Sequence, residues 1–145
     1  MNSIAKNTLK NKKYYDIKYQ NINIDRILNI IQNVDSFLKD ATKTDTSWFG
    51  LYHNNFQETI KGKKILELGC GDCTNLAVMA TLAGEVYGND ISQKSGIIIN
   101  KLNLSCPFKK PIKFVDGDFL DSHLKENYFD IIIGKGFVHH LTNEQ

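Results

Sequence analysis

The stretch from Lys63 to Leu76, KKILELGCGDCTNL, constrains this chain more than any other. Ile65, Leu66 and Leu68 form a short apolar run of the kind carried by a strand covered on both faces, and the two lysines ahead of it mark a solvent end. The strand is expected to end at Gly69. Gly69 and Gly71 then permit a sharp turn and close approach of backbone to a ligand, while Thr74 and Asn75 can cap a helix built on Leu76, Ala77, Met79, Ala80 and Leu82. A strand, a glycine turn and a helix N-terminus with free N–H groups together make a nucleotide-type ligand site.

Spacing narrows what such a turn can hold. The dinucleotide pattern G-x-G-x-x-G/A wants a small residue where this chain has Thr74, and no Gly-Lys-Ser/Thr follows, as a triphosphate-binding loop requires. Around the turn, 145 residues, 41% of them hydrophobic, suffice for one domain with a core and leave no room for a second full one. The net charge of +2, carried on the basic side by lysines with Arg26 the single arginine, gives no electrostatic footprint for nucleic acid. Lys6, Lys10, Lys12 and Lys13 are not followed by an apolar core and a cleavage site. No apolar stretch nears the roughly 20 residues that span a bilayer. Neither nucleic acid nor membrane is expected as a partner, and the cytoplasm is the expected compartment. Three cysteines are an odd number for a disulfide framework, and Cys70-x-x-Cys73 lacks a second pair or a histidine at zinc spacing, so no metal is expected.

In chain order, residues 1 to 20 are rich in Lys, Asn and Tyr without sustained periodicity and read as a mobile or partly ordered arm, whose Tyr14, Tyr15 and Tyr19 can pack on the body. Ile24, Ile27, Leu28, Ile31, Val34 and Leu38 then recur at the spacing of one amphipathic helix. Residues 39–47 read as a polar loop, and Trp48 to Ile60 as an aromatic-rich segment, helical in part. Past the glycine turn and its helix, Gly84 is placed to end that helix, and Glu85 to Asp90 reads as a second strand. An acid about 20 positions beyond a glycine turn, at the tip of the next parallel strand, reaches two ribose hydroxyls. Asp90 is that residue, and it can equally cap the helix that starts near Ser92. That helix closes at Cys106-Pro107. Residues 112–120 form a third strand ending in an acid, and 130–134 a fourth with an unbroken apolar run. The chain thus divides into an arm and helical extension, 1–60, and a sheet-bearing part, 61–145.

Read as hhE-h-G-x-G, Glu67-Leu68-Gly69-Cys70-Gly71 resembles motif I of the class I S-adenosylmethionine-dependent methyltransferases, with Cys73 standing where a third glycine is common. Asp118 and Phe119 occupy the positions at which that class has an aspartate accepting from the adenine amino group and a residue that stacks or donates its N–H. Phe129-Asp130 with its apolar run, followed by His139-His140-Leu141, is similar to motif IV of small-molecule methyltransferases. Residues after that strand, here Gly134 and Lys135, lie in the class against the methionine end of the cofactor. The resemblance covers residues 60–141. It implies a Rossmann-like parallel sheet in the order 3-2-1-4 with helices on both faces, binding S-adenosylmethionine across its strand ends. The implied cofactor contacts are Glu67, Gly69, Cys70 and Gly71 at the turn, Asp90 and Ile91 after the second strand, Asp118 and Phe119 after the third, and Gly134 and Lys135 after the fourth.

A small molecule is the implied methyl acceptor. The Asp-Pro-Pro-Tyr-like turn of amino-methylating nucleic-acid enzymes is replaced by Gly134-Lys135-Gly136-Phe137, and Cys106-Pro107 reverses the Pro-Cys of cytosine-C5 enzymes. In-line displacement at a sulfonium asks chiefly for positioning and needs a base only if the acceptor must lose a proton. His139 or His140 could serve as that base, with packing at a helix start as the alternative role. The family core has seven strands and this chain stops after the fourth, so a C-terminally truncated form is expected, with Ile131 to Ile133 on an edge that a partner or a missing segment would cover. Two other readings stay open. An NAD(P)-binding oxidoreductase fragment would share Asp90 and the glycine turn but would not account for Glu67 or Asp118. A non-catalytic relic or regulatory module would keep the cofactor face alone.

Overall fold

In a computed structural model, which describes residues 3–82, 84–121 and 123–143, the apolar runs pair side by side. β1 (Lys64–Leu68) lies parallel to β2 (Glu85–Asp90) on one side and to β4 (Ile131–Ile133) on the other, and β2 pairs with β3 (Lys113–Asp116). The order is β3-β2-β1-β4, as expected, and because every pair is parallel all four strands end on the same side of the molecule.

Register decides what each face carries. Ile65 pairs with Val86 and Ile131, and Glu67 with Gly88 and Ile133, so these six share one face. Against it pack α6 (Thr74–Thr81) and α7 (Gln93–Ser105), burying Leu76, Ala77, Met79, Ile98, Ile99 and Leu102 with the strand residues. Each of the larger side chains among them contributes about 1.5–3 kcal/mol by leaving water. α6 is buried from Asn75 through Ala80, as a helix sandwiched between a sheet and a further layer must be. Gly88 is bare because a Cβ there would lie 2.5 Å from Leu76 Cδ1.

Among the described residues, α6 and α7 lie on the same face of the sheet. Two successive right-handed crossovers, from β1 to β2 and on to β3, advance in one direction and so set α6 and α7 on the same face. On the opposite face the Tyr87 ring meets Tyr128 and Phe129, 5.7 and 5.1 Å between centroids, from a connection whose described residues contain no helix.

The N-terminal part departs further from its local signals. Residues read as an arm form α1 (Ser3–Lys18), a helix that buries none of its own residues and gains its order from polar contacts with the strand ends. The single helix expected over 24–38 is two, α2 (Asp25–Gln32) and α3 (Val34–Ala41), broken at Asn33, whose φ of −127° and ψ of 39° are not helical. The Asn33 side-chain amide donates to the Asn29 carbonyl, and the bend lets Leu38 join Tyr52 and Val78 in a second cluster. The segment read as a polar loop finishes α3, and Thr46 then caps α4 (Ser47–Tyr52) by accepting the Phe49 N–H at 3.3 Å. After α5 (Phe56–Thr59), Ile60 and, from α2, Ile27 enter the same core as β1. No helix among the described residues is long and apolar enough to cross a membrane.

Candidate functional site

The turn after β1 is built on alternate left-handed residues: Gly69 at φ +63°, Gly71 at +56° and Cys73 at +64°. The cysteine standing at the third glycine position therefore adopts the conformation a glycine would, at a cost offset by complete burial of its side chain and by its N–H bond to the Cys70 carbonyl at 3.0 Å. Its Sγ lies 3.5 Å from the carbonyl oxygens of Gly71 and Ser95, and burial pushes both Cys70 and Cys73 thiols up, away from thiolate chemistry. Thr74 and Asn75 do not cap α6. Cys73 is the cap residue, and Asp72 Oδ1 accepts the Thr74 N–H at 3.0 Å. Asn75 is free for another use as a result. Its amide donates to Glu67 Oε1 at 2.9 Å, and its own oxygen accepts from the Tyr52 hydroxyl at 2.8 Å. Glu67 is 2% exposed and its Oε2 has no hydrogen-bond partner. Burial pushes the carboxyl up to about 8, against the pull of Asn75 and of Lys135.

Asp90 ends β2 with both carboxylate oxygens engaged. Oδ2 accepts the Gly71 N–H and Oδ1 the Ser92 N–H, each at 2.8 Å. One side chain thus fastens the glycine turn to the start of α7, which Ser92 caps by accepting the Lys94 N–H. Burial raises the Asp90 carboxyl above its ordinary range, and the two backbone donors oppose this. Asp118 stands two residues past the end of β3 rather than in it, because Gly117 leaves the strand at φ +111°. Its Oδ1 accepts the Leu120 N–H at 3.1 Å. The Phe119 ring meets Phe137 edge-on, 5.4 Å between centroids. After β4, the Lys135 ammonium sits 4.2 Å from the centre of the Trp48 ring. Val138 to His140 form a 3-10 turn in which His140 Nε2 lies 2.6 Å from the Tyr15 hydroxyl. Burial, then His139 and Lys18, hold His140 below its usual range.

These strand ends open on a single cavity of about 810 Å³. Of the residues expected at a cofactor, Glu67, Gly69, Cys70, Gly71, Asp90, Ile91, Asp118, Phe119 and Lys135 line it, as do both histidines. Gly134 does not line it and faces a smaller recess beside α4. Further wall residues come from the N-terminal helices: Thr8, Tyr15 and Tyr19 over the turn, and Arg26, Ile30, Phe37 and Trp48 beyond Glu67.

Residues 66–145, more than half of the chain, match the family model described as a methyltransferase domain. The chain belongs to the methyltransferase domain family. No curated protein matches it. Among solved structures, an S-adenosylmethionine dependent methyltransferase from Mesorhizobium loti aligns at 20% identity and a TM-score of 0.50, over 64% of this chain and 40% of that one. Magnesium protoporphyrin IX methyltransferase from Synechocystis PCC 6803, solved with bound SAH, aligns at 21% identity and a TM-score of 0.46, over 79% and 47%. The chain therefore spans less than half the length of either structure.

In this methyltransferase domain the cavity residues that local signals missed are those whose position depends on distant packing. Asn75 reads as a cap, yet a lone amide at the head of the buried apolar 76–80 run is itself a sign of a buried polar partner. Thr8, Tyr19 and Phe137 carry no such sign.

Proposed function

We propose that this methyltransferase domain binds S-adenosylmethionine at the carboxyl ends of its strands and directs the methyl group to a small-molecule acceptor. The observation that carries the reading is convergence: side chains from all four strand ends, together with a turn of bare backbone, border one cavity. One feature suits the cofactor directly: Glu67 Oε2 is a buried acceptor without a donor, suited to an ammonium group. Gly69 and Gly71 carry no side chain of their own, and the Phe137 ring and the Tyr19 hydroxyl lie over them. Asp118 and Phe119 would hold the adenine, Asp90 and Ile91 the ribose, and Glu67 and Lys135 the methionine end, with Cys70 in the turn between them.

When bound, S-adenosylmethionine supplies an electrophilic methyl on a sulfonium. The chain's part is to orient the acceptor and exclude water. Lys135 borders the Glu67 end, where Ile30, Phe37 and Trp48 form an apolar wall and Arg26 adds a second cation, which suits a compact acceptor with an apolar body. His140, neutral near pH 7, can take a proton at a ring nitrogen from an acceptor that must lose one, with the exposed His139 as the alternative.

Titration calorimetry with S-adenosylmethionine, S-adenosylhomocysteine and NAD tests the cofactor. Heat from the first two and none from NAD is expected; heat from NAD alone, or from none of the three, refutes the assignment. Trp48, the single tryptophan, gives a second readout through its emission because it lines the same cavity. Transfer of a labelled methyl group to a panel of small acceptors, set against protein side chains, tests the acceptor class.

A further inference from the structure

The groups offered at the turn end of the cleft are already held by the chain itself. From α1, Thr8 Oγ1 donates to Asp118 Oδ2 and the Lys12 ammonium to the Ile91 carbonyl, both at 2.8 Å. Tyr19, just past α1, puts its hydroxyl 2.8 Å from where a Cβ on Gly71 would stand, and the Phe137 ring comes within 2.3 Å of the same point on Gly69. Two glycines whose lack of a side chain would admit a ligand are thus covered by aromatic groups. A ligand against that backbone and these rings cannot share the space. The two covering groups are also tied together. Asn7 and Asn11 donate to the His140 carbonyl at 2.8 and 3.1 Å, and Tyr15 bonds the His140 ring, so α1 grips the turn that follows Phe137.

α1 itself is held by polar bonds, including one that Ser92 Oγ donates to Asp16 at 2.6 Å, while Tyr19 just past it packs on the core. α1 buries none of its residues, and Leu9, Tyr14 and Ile17 are more than half exposed. A segment attached by part-exposed polar bonds opens far more readily than the core it rests on. We infer that α1, with Tyr19 and Phe137, is an internal latch that competes with an adenosyl ligand for the glycine turn, Ile91 and Asp118, so that the site loads only when the latch is released. This rests on the function proposed above. It also makes the apparent dissociation constant equal to the intrinsic one divided by the fraction of open chains.

The test leaves every proposed cofactor contact intact. In the full chain, Asn7→Ala, Asn11→Ala and Tyr15→Phe together cut the ties to His140. S-adenosylhomocysteine should then bind about tenfold more tightly, as expected if roughly nine chains in ten start closed. In the unaltered chain, the same ligand should speed amide exchange in residues 3–18 and slow it in 69–71. Weaker or unchanged binding by the triple variant, or slower exchange in α1 on binding, makes α1 a wall of the loaded site and overturns the latch. A ligand that gives neither heat nor any exchange response with either chain removes the cofactor reading itself, and the latch with it.

Discussion

Replacing Glu67 by glutamine isolates the most heavily buried ionisable group in the cavity wall. In the folded chain its carboxyl is raised from 4.5 to about 8, chiefly by burial, with one oxygen on Asn75 and the other unpartnered. A carboxyl whose folded value exceeds its unfolded one keeps its proton on folding. It therefore costs nothing below about pH 4.5, subtracts stability progressively as pH rises from there to about 8, and subtracts a constant amount above that. At about 1.4 kcal/mol for each pH unit, the loss reaches about 5 kcal/mol. Glutamine keeps the shape and the acceptor for Asn75 but cannot ionise. Urea unfolding at about pH 5, 7 and 9 should find Glu67→Gln close to the unaltered chain at the lowest pH and more stable by several kcal/mol at the highest. A difference that stays flat with pH, or that shrinks as pH rises, would mean that Glu67 ionises normally in the fold, paired with Lys135, and the reasoning from burial would fail. The same proton links to ligand binding. At pH 7, S-adenosylhomocysteine titrated in buffers of different ionisation heat should release up to one proton from the unaltered chain and none from Glu67→Gln.

Two further outcomes follow from packing. Gly69→Ala forces an L residue to φ +63° and sets its Cβ 2.3 Å from Phe137 Cδ2. Denaturant midpoints should report a loss of about 1–2 kcal/mol from the backbone alone, plus a steric part that Phe137→Ala in the same chain relieves; complete rescue by Phe137→Ala would contradict the backbone cost. Ile132, 60% exposed on the edge strand β4, should accept lysine with a stability change within about 0.5 kcal/mol and higher solubility, and a large destabilisation would show that its side chain is packed.

The strands and the helices between them were legible in the sequence because each is announced by neighbours in the chain, whereas the strand order was implied by the resemblance to the methyltransferase class. An apolar run such as Ile131 to Ile133, rich in β-branched residues, reads as a strand, and a glycine after Leu68 marks its turn. Where a signal was local but its use was not, the reading went astray. Thr74 and Asn75 look like caps, yet Cys73 is the cap residue, Asp72 accepts the Thr74 N–H, and Asn75 is left for Glu67. The periodicity from Ile24 to Leu38 is continuous, but the bend at Asn33 answers to Tyr52 and Val78, which no helical repeat can announce. Residues 3–18 have no apolar stripe at all, so nothing in their own composition predicts a helix.

The sequence by itself determined which residues arrive at the strand ends: a turn of glycines, then an acid after the second strand and another after the third, because a parallel sheet delivers its carboxyl ends to one side whatever else surrounds it. Only the tertiary structure decided what those residues touch there. Asp90 holds backbone, Glu67 leans on Asn75, and Thr8 and Tyr19 reach Asp118 and Gly71 across gaps of 110 and 52 positions. Contacts at that separation depend on how a polar helix settles over a finished sheet, and no periodicity in the chain encodes where it comes to rest.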